Sequence, residues 1–493
     1  MSERQNDVSY GQFRREKKRV GPVPISTKIF QGLGALPGSH KDFAFNALLL
    51  LFYNQILHVP ATAASIVLAI ALIFDAITDP LMGALSDGFR SRLGRRHPFM
   101  YAAAFPLGFL MYLLFTPPDG LSQNMLIAWL LVITLLIRLA FTFFVVPWNA
   151  LAAEYSDDYV ERTSIVTYRY LVGWMGGVTF TFAIYTFVFA ATKEYPVGQL
   201  NPENYEPFAI VVGILITFWC LLTTHLTKRE IPYLRQPMQK SVLRISTLFK
   251  QVWAAMQSPN LRLIFISFLM FSGLAGVGGV FDSFMNTFYW EFAAEELRWF
   301  VLTIIGAIAA FVTVPFLQRN YQKQHIVAVS VTIAMLVGIL KVVLRFADVW
   351  PDNGDPMLLT MLIANSCVLV YCLTVAGIMF ASMIADMVDE QELRTGMRQE
   401  GVFASVIGFS AKATTSIGLV IGGTLLDHVV GFPRGEAAGT IDSDTLFRLA
   451  FTDGVAINVF FVIPIYMLTR YTLTLESLTD VQDKLAIRRA DEK

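Results

Sequence analysis

Charged residues are scarce in this chain of 493 residues. Only 15% are Asp, Glu, Lys or Arg, against about 25% in a typical soluble domain, which excludes an ordinary water-soluble protein. The three cysteines all lie inside apolar runs, so the sequence offers neither a disulfide framework nor a Cys-x-x-Cys metal motif. The six histidines are scattered, and no HExxH motif, Ser-His-Asp candidate or Gly-rich phosphate loop indicates an enzyme. Lys plus Arg equals Asp plus Glu at 38 each, so net charge gives no sign of a nucleic-acid partner.

Apolar residues, in contrast, make up 55% of the chain and include forty phenylalanines. A helix that spans a lipid bilayer needs about twenty mostly apolar residues. The sequence contains about twelve such runs, separated by short polar breaks, and therefore predicts an all-α integral membrane protein. We place the runs at 30–57, 61–86, 98–116, 124–153, 164–191, 207–226, 261–289, 297–317, 325–344, 356–384, 401–426 and 446–473.

The distribution of Lys and Arg predicts the topology. Basic residues are concentrated in the tail 1–29, the loop around Arg95, the segment 227–260 and the tail 474–493. Because cytoplasmic loops carry the excess of Lys and Arg, we expect a multi-pass protein of the cell (inner) membrane with both termini in the cytoplasm. The polar linker 227–260 divides the helices into two six-helix bundles, 30–226 and 261–473. This is the plan of the major facilitator superfamily, whose substrate site lies between two six-helix halves.

The second predicted helix carries two carboxylates that a bilayer should exclude. A charge at the bilayer centre costs about 2.5–3.5 kcal/mol, yet Asp75 and Asp79 both lie in this helix. Residues four apart share one face of a helix, so the two carboxylates point toward one place. Such a pair suits a monovalent cation or a shared proton, with Thr78 as a further oxygen and with backbone carbonyls freed by Pro80. The alternative is a pair at a helix end that reaches out to water.

Other predicted helices also contain charges. Lys41 and Asp42 would line one face of the first helix, unless that helix begins at Lys41. A cation in hydrocarbon needs a carboxylate partner, and Asp42, Asp75 and Asp79 are the candidates. The polar residues that would share their cavity are Arg138, Thr142, Asn149, Arg169 and Lys412. Three further charges, Asp282, Lys341 and Asp453, are expected near helix ends.

Three separated motifs point to a family. Residues 75–98 contain DAITDPLMG and RSRLGRRHP, residues 146–163 contain VPWNAL and ERT, and residues 384–401 contain IADMVD, LRTG and RQEG. In this combination the chain resembles the glycoside-pentoside-hexuronide:cation symporters, the melibiose permease family. The resemblance covers nearly the whole chain.

The resemblance implies a cation-coupled symporter with the major facilitator fold that works by alternating access. It implies a cation site formed by Asp75, Asp79 and Thr142, with Thr78 where sodium-using members often carry Asn. The coupling cation would be Na⁺ or H⁺, with no other cofactor, and carriers of this plan generally act as monomers. The residues implied to line the substrate cavity are Lys41, Asp42, Asn149, Arg169 and Lys412, and a small organic solute such as a glycoside or uronide is the expected substrate.

Two departures from the family pattern leave the substrate open. Val145 stands where sugar-binding members place an Asp, and Asn149 stands where they place a Trp that stacks on the sugar. The same pattern also resembles the sodium-dependent lysophospholipid carriers, so an amphipathic solute is an alternative. A sensor that binds a ligand without transporting it is another.

Charged loop residues are expected to form the cytoplasmic gate. Salt bridges between the halves would hold the inner side closed in the outward-facing state; alternatively, the arginines at 90–96 only set topology. The residues in question are Asp87, Arg92, Arg95, Arg96, Glu161, Arg162, Asp386 and Arg394.

Overall fold

The protein is helical almost throughout. The computed structural model describes residues 13–15, 19, 21–156, 158–237, 259–395, 400–471 and 484. Within these ranges, eleven helices are long and apolar enough to cross a membrane, against about twelve predicted. The difference lies in the first predicted span, 30–57, because its helical path is interrupted. The predicted all-α integral membrane class is confirmed.

Two compact units make up the chain. Unit 1 comprises Met1–Val59 and Ile70–Leu243, and unit 2 comprises Pro60–Ala69 and Arg244–Lys493. The α-helices of unit 1 are α1 Ile25–Leu33, α2 Leu36–Phe43, α3 Ala61–Gly88, α4 His97–Phe115, α5 Gln123–Glu154, α6 Tyr159–Ala183 and α7 Tyr205–Thr227, with π-helical turns at Ala44–Leu49, Phe52–Ile56 and Ile184–Val188 and 3-10 turns at Gly198–Leu200, Pro202–Asn204 and Lys228–Tyr233. The first residues of α3 belong to unit 2.

Pro37 stands in the first turn of α2, and because proline has no N–H to bond to the preceding turn, the helix breaks between α1 and α2. The same region packs closely on α5. A Cβ atom at Gly34 would lie 2.0 Å from Nε1 of Trp148, so only glycine permits this approach to α5. The Gln31 side-chain amide donates to the Trp148 carbonyl at 2.8 Å, and the Trp148 indole donates to the Gln31 carbonyl at 2.9 Å. These reciprocal hydrogen bonds fix α1 against the part of α5 that carries Asn149.

The core of unit 1 combines glycine contacts with aromatic packing. α4 and α7 approach so closely that a Cβ at Gly108 would lie 1.9 Å from Oγ1 of Thr217 and 2.4 Å from the Gly213 carbonyl oxygen. Five buried aromatic side chains surround one another beside these helices: Phe52, Phe115, Phe189, Tyr205 and Phe208. Each buries a large apolar area, so this cluster contributes much of the packing energy of the unit.

The two ends of unit 1 meet. A two-stranded antiparallel pair joins β1 Phe13–Arg15 to β2 Arg235–Pro237. Close by in sequence, the buried Glu230 carboxylate forms an ion pair with Arg19 and accepts a hydrogen bond from the Thr27 hydroxyl at 2.6 Å. The start of the chain is thereby attached to the segment that follows the last helix of the unit.

Unit 2 contains the remaining helices. They are α8 Pro259–Phe284, α9 Ala294–Leu297, α10 Ile304–Asn320, α11 Lys323–Phe346, α12 Pro356–Thr395, α13 Glu400–Thr424, α14 Ser443–Phe451, α15 Ile457–Val459 and α16 Val462–Thr469, with π-helical turns at Met285–Tyr289, Leu425–Val430 and Thr452–Ala456 and a 3-10 turn at Arg298–Thr303. The backbones of α8 and α13 lie in direct contact at Gly273 and Gly418. A Cβ atom at Gly418 would lie only 2.0 Å from the Gly273 carbonyl oxygen, so a larger residue does not fit there.

A carboxylate of unit 2 caps the start of α3. The Asp427 side chain accepts hydrogen bonds from the backbone N–H groups of Ala61, at 3.2 Å, and Thr62, at 2.7 Å. Arg434 lies 3.7 Å from the same carboxylate. An anion at a helix N-terminus satisfies backbone donors and complements the helix dipole. The Asp427 carboxylate therefore stabilises the first turn of α3.

Candidate cation and substrate site

Asp75 and Asp79 share one hydrogen-bond donor. The Thr142 hydroxyl of α5 lies 3.2 Å from Oδ1 of Asp75 and 3.0 Å from Oδ1 of Asp79. Asp75 and Thr142 are buried, and Asp79 is half-buried. A hydroxyl carries a single proton, so it can donate to only one carboxylate at a time. The spacing therefore brings two carboxylates and one hydroxyl oxygen together around one point.

Arg138 supplies a positive charge beside this group. Its guanidinium lies 3.4 Å from Oδ2 of Asp75 and 5.0 Å from the centre of the Phe45 ring. Arg138 and Thr142 are one turn apart on α5, so both reach the same carboxylate. Arg138 therefore places one positive charge beside the two carboxylates from within unit 1.

Thr78 is turned toward its own helix. Its hydroxyl donates to the carbonyl oxygens of Phe74 at 3.1 Å and Asp75 at 3.3 Å. α3 continues through Pro80. Because proline has no backbone N–H, the carbonyl oxygen of Ala76, four residues earlier, receives no hydrogen bond from this position. Thr78 directly precedes Asp79 in the chain, but its hydroxyl proton is used by its own helix.

Lys41 is buried beside an exposed partner. Its ammonium donates to Oδ1 of Asp42 at 2.6 Å and lies 4.7 Å from the centre of the Phe141 ring. The side chains of Lys41 and Asp42 are 4% and 62% exposed, so the pair runs from the packed interior to an open surface. α2 begins at Leu36, before Lys41, which places the pair inside a helical stretch.

Asn149 and Arg169 form a second polar group in unit 1. The Arg169 guanidinium donates to the Asn149 amide oxygen at 2.7 Å. The same guanidinium lies 5.2 Å from the centre of the Trp148 ring and 5.6 Å from that of Tyr170. In the part of the chain that the structure describes, Arg169 has no carboxylate partner. It is a cation oriented by an amide and by aromatic faces.

The loop arginines belong to a buried network within unit 1. Arg95 and Arg96 both bond to Oε1 of Glu154, at 2.7 and 3.0 Å, and both reach Oδ1 of Asp87, at 3.4 and 2.5 Å. The Arg96 guanidinium also donates to the Ser86 hydroxyl at 2.5 Å. Glu154, the last residue of α5 and an acidic residue at the end of a long apolar helix, is thus the carboxylate that both arginines share.

The remaining predicted gate residues lie apart from this network. Arg92 is exposed. Glu161 accepts a hydrogen bond from the backbone N–H of Val23 and lies 3.8 Å from the Lys28 ammonium, while Arg162 donates to the Ser156 carbonyl at 2.7 Å. In unit 2, Asp386 accepts from Lys323 at 2.5 Å. The side chain of Arg394 lies outside the described residues. Lys412 belongs to unit 2, on α13, and the gate between the halves stays a prediction.

The donor set of the carboxylate group suits a small hard cation. Among the described residues, no three or more His, Cys, Asp or Glu side chains lie close enough together to hold a metal ion, and such sets are what zinc and similar ions require. Two carboxylates with a hydroxyl are instead oxygen donors of the kind that Na⁺ or a proton can use.

Comparison with known proteins gives a consistent result. A family model described as MFS/sugar transport protein matches residues 30–475. The uncharacterized symporter YnaJ of Bacillus subtilis is 28% identical over 400 residues, covering 78% of this chain and 81% of that protein. The putative glycoside/cation symporter YagG of Escherichia coli is 24% identical over 475 residues, covering 95% and 96%. A crystal structure of the nucleoside transporter NupG has a TM-score of 0.62 at 15% identity, covering 89% of this chain and 99% of that one. The predicted major facilitator fold is confirmed.

Proposed function

The chain belongs to the MFS sugar transport family, that of the glycoside–cation symporters, and we propose that it carries a glycoside, uronide or related small organic solute across the membrane together with Na⁺ or H⁺. It is a multi-pass membrane transporter of the symporter kind and not an enzyme. The proposal includes alternating access, a monomeric carrier in the inner membrane and cytoplasmic termini.

The observation that carries the coupling is the shared Thr142 hydroxyl. Because it lies within hydrogen-bond distance of both Asp75 and Asp79, an ion that binds one carboxylate is also close to the other. The bound cation relieves the repulsion between the carboxylates and lowers the free energy of the state that binds substrate. Cation and substrate then increase each other's affinity by the same factor.

The charges of unit 1 favour an acidic solute such as a uronide. Toward the middle of its membrane-spanning stretches the described residues include three cations, Lys41, Arg138 and Arg169, and three carboxylates, Asp42, Asp75 and Asp79. A bound Na⁺ would add one positive charge to this balanced set. Arg169, which has no carboxylate partner in the described chain, is the cation best placed to bind a substrate carboxylate, as Arg does bidentately.

Solute uptake into proteoliposomes tests the proposal. The purified protein is reconstituted, a Na⁺ or a pH gradient is imposed, and labelled glucose, a glucoside, glucuronate and a lysolipid are offered separately. We expect gradient-driven accumulation, with glucuronate ahead of glucose. Accumulation of the lysolipid alone would instead identify an amphipathic-solute carrier. Binding of a solute without any counterflow would identify a sensor.

Neutral variants link the coupling to the carboxylates. Asp75→Asn and Asp79→Asn should abolish cation-dependent accumulation, because each removes one carboxylate from the site. Asp119→Asn changes the same chemistry at an exposed loop residue and should leave accumulation unchanged. Cation-dependent uptake that persists in both site variants would overturn the proposed coupling.

A further inference from the structure

Arg138 is held loosely by the carboxylate with which it pairs. Its guanidinium donates to Oδ2 of Asp75 at 3.4 Å, whereas a charge-assisted hydrogen bond of this type is typically about 2.7–2.9 Å long. The Arg138 side chain is only 11% exposed, and its Nε has no hydrogen-bond partner in the described part of the chain. A buried donor without a partner costs free energy. A closer approach to Asp75 would therefore stabilise Arg138, so some other contact must oppose it.

The Phe45 ring supplies that contact. Its centre lies 5.0 Å from the guanidinium carbon of Arg138, within the distance of about 6 Å over which an aromatic face attracts a cation. Phe45 is buried, and such an attraction is stronger where water is excluded. The ring is carried by the π-helical turn Ala44–Leu49, and turns of this kind occur frequently at functional sites. The guanidinium is thus shared between a carboxylate of α3 and an aromatic ring.

A second cation at the same ring is held more firmly. The Lys41 ammonium lies 5.3 Å from the centre of the Phe45 ring and 4.7 Å from that of Phe141. In contrast to Arg138, it makes a short hydrogen bond, 2.6 Å long, to the Asp42 carboxylate. A close carboxylate and a second aromatic ring therefore keep Lys41 in place. Of the two cations at Phe45, Arg138 is the one whose ion pair is long, and it has the greater freedom to move.

The carboxylate that holds Arg138 also belongs to the proposed cation site. The Thr142 hydroxyl lies 3.2 Å from Oδ1 of Asp75 and 3.0 Å from Oδ1 of Asp79, so a cation bound between these oxygens is close to the Arg138 guanidinium as well. Two positive charges beside one carboxylate repel each other. A bound cation and Arg138 therefore compete for Asp75. Such competition lowers the apparent affinity for the cation by the fraction of molecules in which the site is available.

We propose that Arg138 is an internal competitor of the coupling cation at Asp75, and that Phe45 is the positioning residue that keeps Arg138 partly withdrawn from this carboxylate. In the empty site Arg138 neutralises part of the charge of Asp75. When the cation binds, the guanidinium moves toward the Phe45 ring. Arg138 and Phe45 together set the affinity for the cation, although neither is one of its ligands. This inference rests on the proposed cation site and adds the two residues that regulate it.

Replacement of Arg138 tests the competition. Thermal unfolding of the purified full-length protein is followed against Na⁺ concentration at fixed pH, and against proton concentration without Na⁺. A ligand that binds only the folded state stabilises it by mass action, which gives the Kd. Arg138→Gln should lower the Kd for the cation that stabilises the parent by about tenfold or more, because a positive charge beside the site is removed. Arg138→Lys keeps that charge and should leave the Kd near the parent value.

Fluorinated phenylalanines at position 45 test the role of the ring without changing its shape appreciably. Each added fluorine withdraws electron density from the aromatic face and weakens its attraction for a cation. Arg138 should then move toward Asp75, and the Kd should rise stepwise, by about two- to fivefold over the series. The same series at Phe141, the ring 4.7 Å from Lys41, is the matched control and should leave the Kd unchanged.

The opposite signs of the two changes separate this role from a merely structural one, because damage to the site would raise the Kd in every variant. The fluorinated series also decides the question if Arg138→Gln does not fold. A Kd that fails to fall in folded Arg138→Gln, or that stays constant along the Phe45 series, would overturn the inference and leave the cation site in place. If Asp75→Asn and Asp79→Asn do not reduce the stabilisation by either cation, the proposed cation site is wrong and the inference fails with it.

Discussion

Glu154 and Asp87 bind the same two arginines, which permits a matched test of what burial contributes. The side chain of Glu154 is 8% exposed and that of Asp87 is 41% exposed, while those of Arg95 and Arg96 are 4% and 6% exposed. Removing one partner of a buried ion pair costs about 3–5 kcal/mol, because the other charge stays buried without compensation. An exposed pair contributes about 0–1 kcal/mol.

Glu154→Gln should therefore destabilise the protein far more than Asp87→Asn. We expect about 3 kcal/mol for Glu154→Gln, the lower end of the range, because the glutamine amide oxygen can still accept one hydrogen bond. At about 2–4 °C per kcal/mol for a unit of this size, the apparent Tm falls by roughly 6–12 °C. Asp87→Asn should lower it by no more than about 4 °C.

Thermal unfolding of the two purified variants, in one detergent and without added solute, measures both shifts. Equal shifts, or a smaller one for Glu154→Gln, would show that Arg95 and Arg96 are not held by the buried carboxylate. The arginines would then act mainly in topology, which is the alternative that the sequence left open.

Three further outcomes follow from the contacts described above. If the proposed site binds Na⁺, Thr142→Val should raise the Kd for Na⁺ about tenfold, the equivalent of one hydrogen bond to a charged group. Thr134 lies on the same helix, and its buried hydroxyl has no hydrogen-bond partner among the described residues, so Thr134→Val should leave this Kd unchanged. Fluorescence-detected unfolding against Na⁺ concentration measures both values. Gly108→Ala should abolish expression of folded protein, because the added Cβ would lie 1.9 Å from Oγ1 of Thr217. Gly88→Ala should not, because a Cβ there meets nothing within 4 Å. Gel filtration of detergent extracts compares the two variants. Asp427→Asn should cost about 0.5–2 kcal/mol through the weakened cap of α3; an unchanged Tm in that variant would contradict the role of the carboxylate.

The positions of the helices follow largely from the sequence, because a spanning helix must satisfy its backbone internally and cover itself with apolar side chains. The approach of Asp75 and Asp79 also follows from it, since their spacing places them on one face. Pro37 also marks the interruption of the first predicted span locally, since it has no N–H to continue the helix. The close contact of Gly34 with Trp148 does not follow from the sequence, because the two residues lie on different helices and no local pattern indicates their pairing.

The charges show the same division. A charged residue in an apolar run indicates that a partner of opposite charge exists, but the sequence does not identify the partner residue. Arg138 was expected to need a carboxylate, and Asp75 lies beside it. Asp282, Lys341 and Asp453 were expected near helix ends; the ion pair of Lys341 with Asp453 depends on how α11 packs against the segment around Asp453, which is a tertiary property.

The meeting of the two ends of unit 1 has a consequence for biosynthesis. Arg19 and Glu230 are 211 residues apart in the chain. β1 is therefore synthesised long before β2, the strand with which it pairs. At a synthesis rate of about 5–20 residues per second, the partner of the tail emerges roughly 10–40 s after the tail itself. During that interval the basic tail has no strand to pair with, while the helices between are being inserted. Pairing of β1 with β2 is therefore among the last events in the assembly of unit 1. It can take place only after all of the helices between them have been synthesised.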